Sequence, residues 1–575
     1  MRIGLLTEGG YPYVSGDTRL WCDRLVRGLG QHEFDIYALS RTERQETEGW
    51  VPLPPQVARV RTAPLWTAGD DGAAQGRRAR RRFTEAYAEL TAALCTPPQP
   101  GAAQDAPGMD GPEADRFGSA LYALAELARD AGGLIGALRS EAAVRALEQA
   151  CRAPRALQAA RTARVPELLH TVAHLERALR PLSLDWYEDD GLGSVDLCHA
   201  TAGGTAALPG LLARHFTGIP LLVTEYGVQL RAHYLGTSHK TPPAVRALLA
   251  CFHRLLAAEV YHRAACVTPG NTHARRWQER CGADRDKLRT VYPGMEASRF
   301  AEVGEAADRA DPRTLVWVGR VEPAKDLICL LHAFAVIRKE EPKARLWIVG
   351  APAGAEGTAY LGQCRALAAQ LFPDEADGVH DIGDNPVSFE EIGGPEAPDL
   401  ADAYAAGAVV VLSSVVEGFP ISLVEAMFCG RATVSTDVGA VVEVIGGTGL
   451  VVPPRNPRAL AEACLALLRD PERRERLGAA ARARALELFT VEQNVAAFHD
   501  LYLEIVSHSP VRRVLVDRTG EPLPFGAPAE AHLPGRWTEP RLPRGRPRWA
   551  WAPGEATPPV RATGLQEAVP AAKGA

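Results

Sequence analysis

The chain of 575 residues contains no apolar run approaching the roughly 18–20 residues that a membrane-spanning helix needs. It has no paired cysteines at metal-ligand spacing. Its 11 cysteines are scattered, odd in number and without a C-x2-C pair, which argues against a disulfide framework or a zinc site and for buried thiols in a reducing compartment. It has no large excess of charge of one sign: a formal net charge of −6 gives no overall reason to expect nucleic acid as a partner. The opening MRIGLLTEGG lacks the basic start and long apolar core of a secretory leader. These absences point to a cytoplasmic globular protein, long enough for two or three domains with sizeable cores.

What is present is a β-α rhythm. A strand is expected at 3–7, followed by the loop EGGYPYVSGD, a helix from about 18 to 29 and a strand near 34–38. Such a β-α-β start implies a parallel sheet. From about 65 to 184 the chain is rich in Ala, Leu and Arg at helical spacing, with a Pro/Gly-rich interruption at about 96–112. This stretch reads as a helical insertion carrying one mobile loop. Strands are expected again at 195–200, 220–224, 266–269 and 290–292. A second series follows at 314–320, 345–350, 378–383, 408–414 and 432–439, then a helix at about 490–506. From about 507 prolines and arginines dominate and periodicity is lost, so 507–575 is expected to be an extended or disordered tail. The division is thus 1–296, 297–489, a final helix at 490–506, and the tail.

The most informative stretch is VVEGFPISLVEAMFCG, residues 415–430. AGAVVVLSS before it reads as a buried strand, Pro420 as a helix opener and Gly430 as a helix terminator. Glu417 then lies on a loop and Glu425 on the first turns of the next helix. The amides near Ile421, Ser422 and Leu423 are expected to be free to meet an anion. Carboxylates accept hydrogen bonds from vicinal hydroxyls and amides donate to phosphate oxygens, so the segment suits a ligand carrying both. The alternative is a loop Glu and a helix Glu with no joint role.

Other loops add to this. Arg320 and Lys325, in GRVEPAKD after a strand, are two cations that can neutralise a diphosphate; alone they could equally be solvated surface residues. GVHDIGDNP, 378–386, reads as a simple turn or, by the family resemblance set out below, as the base-binding loop, with backbone groups near Ile382 meeting a nucleobase. RRARRR, 77–82, is a local basic patch in an acidic chain without an aromatic platform beside it; a solvated helix face accounts for it, with acidic lipid or a polyanion as the alternative. Asp284 and Asp286 form a D-x-D at a helix start, not beside a candidate ligand loop, and no metal or other cofactor is expected.

EGFPISLVEAM resembles the E-x7-E signature of the retaining glycosyltransferases of family 4, and GRVEPAK resembles their G-R-x4-K element. The resemblance implies a GT-B fold, α/β, with two doubly wound Rossmann-like domains facing a cleft, a helix at 490–506 that crosses back to the first domain and, in this chain, a helical insertion in the first. It implies that Glu425 holds the ribose of a sugar nucleotide, that Glu417 lies by the donor sugar with Gly418, Phe419, Pro420, Ile421 and Ser422 around it, and that Arg320 and Lys325 contact the donor phosphates. TEGGYPYVSGDTRLW resembles the start of the PelF-like branch, matching at Glu8, Gly9, Tyr11, Pro12, Tyr13, Val14, Gly16 and Trp21. Gly10 precedes the matched Tyr11, and Asp17 replaces the second glycine of the usual Gly-Gly pair. LLVTEYGVQLR matches the branch at Glu225 and Arg231, but Tyr226 stands where the branch has His. Tyr does not titrate near neutral pH, so a backbone role survives there and an imidazole role does not. Glu225 and Arg231 are candidates for the cleft wall or, alternatively, a strand-end ion pair. TVYPGMEASRF resembles the interdomain linker.

The resemblance therefore implies an enzyme that moves a hexose from a nucleotide diphosphate sugar, UDP-glucose-like, to a saccharide acceptor in exopolysaccharide or glycoconjugate synthesis, with a membrane-associated polysaccharide synthase as a potential partner. The alternative is a GT-B shell that binds a sugar nucleotide or polysaccharide and turns over poorly. A glycosidase acid/base pair is a weaker reading, because it leaves Arg320 and Lys325 without a role.

Overall fold

Near-continuous apolar strands such as Arg2–Glu8 and Gly407–Leu412 are buried on both faces, as parallel strands flanked by helices must be. In the computed structural model the chain forms two such sheets. The structure describes residues 1–16, 18–67, 75–97, 112–188, 190–236, 241–305, 311–373, 385–395 and 397–509.

The first sheet contains β1 (Arg2–Glu8), β2 (Glu33–Ser40), β3 (Val57–Pro64), β4 (Leu197–Ala200), β5 (Leu221–Glu225) and β6 (Cys266–Pro269), in the order β3-β2-β1-β4-β5-β6. The second contains β7 (Asp311–Val318), β8 (Arg345–Val349), β9 (Val387–Glu390), β10 (Gly407–Leu412), β11 (Ala432–Thr436) and β12 (Leu450–Val452), in the order β12-β11-β10-β7-β8-β9. Neighbours in both sheets run parallel. Ile3 on β1 pairs with Phe34 on one side and Leu197 on the other. In each sheet the strand order reverses once, between β1 and β4 and between β7 and β10. Ligands in open α/β sheets bind beyond the carboxyl ends of strands at such switch points.

The helices between β3 and β4, among them Arg77–Cys95, Pro112–Ala131, Glu141–Arg152 and Val165–Leu179, form no separate unit. Phe83, Tyr87, Phe117 and Leu121 share one continuous apolar core with Leu6 and Tyr37 of the first sheet. The basic run opens the helix Arg77–Cys95 as an exposed face, with Arg81 paired to Glu85 at 2.7 Å and Arg82 to Asp130 at 3.3 Å.

The helix Val491–His508 starts on the second domain and packs on the first. Its Phe498, Tyr502 and Ile505 are buried with Ile3, Leu5 and Leu25.

Two expectations need correction. Residues 290–292 form no strand: Val291 donates only to the Pro269 carbonyl, and Pro293 brings a missing amide that stops a ladder. The strands β3, β9 and β12 were not expected at all, and each is a sheet edge. The expected strand at 378–383, the interruption at 98–111, Asp17, Ile382 and the tail from 510 lie outside the described residues. No helix of the described residues is long and apolar enough to cross a membrane.

Candidate active site

The two loops that leave the second sheet at its switch point carry the cations and the first glutamate. After β7 the chain makes a short turn, Pro323–Lys325, then enters a left-handed conformation at Asp326 (φ 47°). Asp is among the few non-glycine residues that adopt this shape, and its carboxylate caps the next helix by accepting from the Cys329 amide at 3.3 Å. After β10, Val415 donates to the Ala324 carbonyl at 2.9 Å, which ties the two loops together. The result is a tight polar junction. Lys325 Nζ lies 2.6 Å from Glu417 Oε1, and the Ser414 hydroxyl donates to the same oxygen at 2.7 Å. The Ser413 hydroxyl holds the Lys325 carbonyl at 2.7 Å.

Lys325 is thus neutralised by Glu417. Arg320 is exposed and forms no hydrogen bond or ion pair among the described residues.

The helix Ile421–Phe428 begins one residue after Pro420, which is its N-cap, and ends before Gly430 (φ 66°). Its first amides are less free than expected. Ile421 donates to the Phe419 carbonyl and Leu423 to the Pro420 carbonyl, at 3.0 and 3.1 Å, because the turn before the helix is tight. The amides of Gly418, Phe419 and Ser422 donate no hydrogen bond among the described residues. An added Cβ at Gly418 would meet nothing within 4 Å. Phe419 packs against Tyr292 and Phe489. Glu425 sits one turn into the helix and accepts from the Tyr404 hydroxyl at 2.8 Å. Burial pushes its carboxyl up to about 7, against the opposing pull of Tyr404, Arg299 and Arg24.

The first domain reaches this junction through Arg231. Its guanidinium donates to the Glu417 carbonyl at 2.7 Å, so Arg231, Lys325 and Glu417 meet across the domain boundary. Burial lowers the Arg231 pKa while Glu417 raises it. Arg231 and Glu225 do not form a strand-end ion pair. Glu225 is buried, accepts from the Tyr261 hydroxyl and from the Gln229 amide at 3.2 Å, and has its carboxyl raised by burial. It braces the start of the helix Gln229–Gly236, on which Arg231 stands.

Tyr226 also faces a different partner from the one its position suggested. Asn494 of the final helix donates to its hydroxyl at 3.2 Å, and its ring meets Trp21 edge-on at 5.4 Å. The loop after β1 folds on itself. Gly16 has φ 128°, and a Cβ there would lie 2.1 Å from the Gly9 carbonyl oxygen and 2.6 Å from Gly10 Cα. Gly16 therefore serves backbone-on-backbone packing, whereas a Cβ at Gly9 or Gly10 would meet the Arg41 or Thr18 side chain. Tyr11 is fully buried in the core, where burial raises its hydroxyl pKa, so its ring lines no cleft.

Sequence reasoning missed Tyr404, Ser414 and Glu443. Glu443 accepts from the Thr272 amide at 2.7 Å and from the Tyr292 hydroxyl at 2.9 Å, a second bridge between the domains. No local spacing marks any of the three. Asp284 accepts from the Asp286 amide at 3.0 Å in a local turn. A cavity of about 410 Å³ lined by Cys429, Arg431, Arg474 and Arg482 opens at the amino-terminal ends of β10 and β11, away from the switch point.

Comparison with known proteins agrees with this fold. A domain family described as glycosyl transferases group 1 matches residues 312–470, and a domain family of unknown function, DUF3492, matches residues 1–286. The D-inositol 3-phosphate glycosyltransferase of Streptomyces bingchenggensis is 34% identical over 237 residues, covering 39% of this chain and 49% of that protein. The protein of the same description from Thermobispora bispora is 30% identical over 310 residues, covering 51% of this chain and 67% of that protein. The chain thus spans about half the length of the Streptomyces relative. Two solved structures share the fold at low identity: Anabaena Alr3699/HepE in complex with UDP (TM-score 0.50, 15% identity, 87% of this chain and 99% of that one) and sucrose-phosphate synthase from Thermosynechococcus elongatus (0.51, 17%, 88% and 100%). The architecture is GT-B, and the chain belongs to the glycosyl transferases group 1 family.

Proposed function

We propose that the protein is a retaining glycosyltransferase of family 4, PelF-like, that moves a hexose from a UDP-glucose-like donor to a saccharide acceptor in exopolysaccharide or glycoconjugate synthesis. The observation that carries this reading is the meeting of Lys325, Glu417 and Arg231 at the second sheet's switch point, with Glu425 one helix away. Lys325 and Arg320 would take the diphosphate, and Glu425 would accept from the ribose hydroxyls. The amides of Gly418 and Phe419, with Glu417, would orient the sugar. A phosphate arriving at Lys325 competes with Glu417 for the ammonium and so frees a carboxylate oxygen for sugar hydroxyls. The two cations supply the charge that stabilises the leaving diphosphate, so no metal is assigned.

Retention follows from the family resemblance. In a front-side displacement the acceptor hydroxyl attacks the anomeric carbon on the face from which the nucleoside diphosphate departs. The bond from that carbon to the phosphate oxygen breaks, and the leaving phosphate takes the acceptor proton. The first domain, with the loop after β1 and the helix carrying Arg231, would receive the acceptor. The relatives named above support a sugar-nucleotide donor, since one is solved with UDP, and their name adds inositol 3-phosphate to the acceptors worth testing. A cytoplasmic location and a membrane-associated synthase partner belong to the same proposal.

The test is nucleotide release from a panel of UDP-, GDP- and ADP-sugars, with and without oligosaccharides or inositol 3-phosphate. Release that depends on acceptor is expected for one donor. Saturable binding without release for every donor would leave the protein as a binding module instead.

A further inference from the structure

Glu425 lies in a pocket that works against its own charge. Its carboxyl is half-buried, and the groups facing it come from four elements. The Tyr404 hydroxyl, on the helix Leu400–Ala405, donates at 2.8 Å. Arg299, on the turn Ala297–Phe300, is already paired with Asp399 at 2.7 Å. Arg24, on the first domain's helix Arg19–Gly28, is held by the Gly294 carbonyl at 3.2 Å and by Glu296 at 3.4 Å. Cys429, just beyond Glu425's own helix, is a buried thiol. Both arginines are committed elsewhere, which leaves Tyr404 as the hydrogen-bond donor to the Glu425 carboxylate.

Tyr404 is well placed for this. It is fully buried, its ring packs edge-on to Phe300 at 6.1 Å, and its carbonyl accepts from Arg431 Nε at 3.1 Å. The helix that carries it is started by a capping box at Asp399, the residue paired with Arg299. Burial and the neighbouring Glu425 hold the Tyr404 hydroxyl well above its ordinary range, so it remains a donor at all relevant pH. A hydrogen bond to a charged acceptor is among the stronger kinds, and a side chain locked by packing directs it.

We propose that Tyr404 is a positioning residue for the donor site: its hydroxyl occupies Oε2 of Glu425, keeps the carboxyl ionised and turns Oε1 toward the ribose. This rests on the assignment of Glu425 to the donor ribose. A neutral Glu425 would present a hydroxyl of its own and lose acceptor capacity. Tyr404 therefore sets the pH at which the ribose is accepted. Burial raises the carboxyl to about 7 with Tyr404 in place, and removing the donor raises it further.

The experiment is calorimetric titration of UDP, GDP and ADP into the full chain from pH 6 to 9, for the native protein, Tyr404→Phe and Glu425→Ala. Phe keeps the ring packing, and a melting curve checks that it does. For the native protein, affinity for one nucleotide should fall as pH drops through about 7. Tyr404→Phe should move that limb to higher pH, weakening binding about fivefold at pH 7 for a shift of about one unit, with the gap narrowing toward pH 9. If Glu425→Ala weakens binding but Tyr404→Phe leaves the limb in place, Tyr404 only packs and the proposal is overturned while the ribose assignment stands. If Glu425→Ala leaves affinity unchanged, or no nucleotide binds, the ribose assignment fails and the proposal with it.

Discussion

In the proposed reading, Glu425 is a carboxylate that serves a ligand at the expense of the fold. Its carboxyl, near 4.5 in an unfolded chain, is pushed up to about 7 by burial. The native state therefore holds this proton more tightly than the unfolded one. Its favourable contribution is fully present below about 4.5 and is lost as pH rises through about 7. At pH 8 the buried charge costs on the order of 3 kcal/mol, the equivalent of about 2.5 pKa units. Glu425→Gln keeps an acceptor for Tyr404 and removes the charge. It is expected to melt a few degrees higher than the native protein at pH 8, with the difference shrinking as pH falls and vanishing below about 4.5, while nucleotide affinity falls. Equal melting temperatures at pH 8 would show that the carboxyl is not strained there.

Gly418 makes the complementary case. It has no left-handed φ, and a Cβ would meet nothing within 4 Å, so the fold does not require glycine there. Gly418→Ala is expected to leave stability within about 0.5 kcal/mol and to weaken donor binding by tenfold or more. Loss of stability with intact binding would point to the backbone instead. Both residues could be singled out in the sequence from the motif they share. Tyr404 could not, because it lies 21 positions before its partner and meets it only once β10 has returned the chain.

At the scale of elements, the interior strands and the edge β6 were legible, and the edges β3, β9 and β12 were not. β1, β5, β7 and β10 are apolar runs because both their faces are covered. β3 carries Arg59 and Arg61, which reach the carbonyls of Asp190 and Asp185, and β12 is only three residues long. An edge strand needs less apolar surface and shows less pattern.

The final helix was visible by its period, and the GT-B resemblance implied its return to the first domain; the side chains it meets there were not legible. Asn494 donates to the Tyr226 hydroxyl and, at 2.6 Å, to the Tyr292 carbonyl, while it accepts from Trp21 Nε1 at 3.2 Å. Asn494→Ala is expected to destabilise the protein by about 1–3 kcal/mol, since it leaves several buried groups unpaired. Tyr226→Phe, which removes one weak bond, should cost less than about 1.5 kcal/mol. Chemical denaturation checks both, and a larger effect at Tyr226 would reverse the assignment. Tyr226 departs from the PelF-like pattern at a site where the structure supplies a structural partner for the new hydroxyl.

For the whole molecule, the two domains are joined at the site as well as at the linker. Arg231 bonds the Glu417 carbonyl, and Glu443 bridges Thr272 and Tyr292. Removing both bridges with Arg231→Met and Glu443→Ala is expected to open the cleft. The radius of gyration from small-angle scattering should rise in the unliganded double variant, and donor should partly reverse the change. An unchanged radius would show that the linker and the final helix alone hold the domains together.

Residue order along the chain was enough to set the GT-B architecture, the helical insertion and the loops bearing Arg320, Lys325, Glu417 and Glu425. Strand burial, helix spacing and short motifs are local, and they survive in a linear reading. Only the tertiary structure decided that Lys325 rests on Glu417, that Arg231 crosses from the other domain, that Glu225 is a buried brace and Tyr11 a core ring, and that Tyr404 governs Glu425. The three bonds among these, Lys325 to Glu417, Arg231 to Glu417 and Tyr404 to Glu425, join residues 92, 186 and 21 positions apart. Contacts of that kind depend on how two sheets and their connections come to rest on one another, and no periodicity along the chain encodes them.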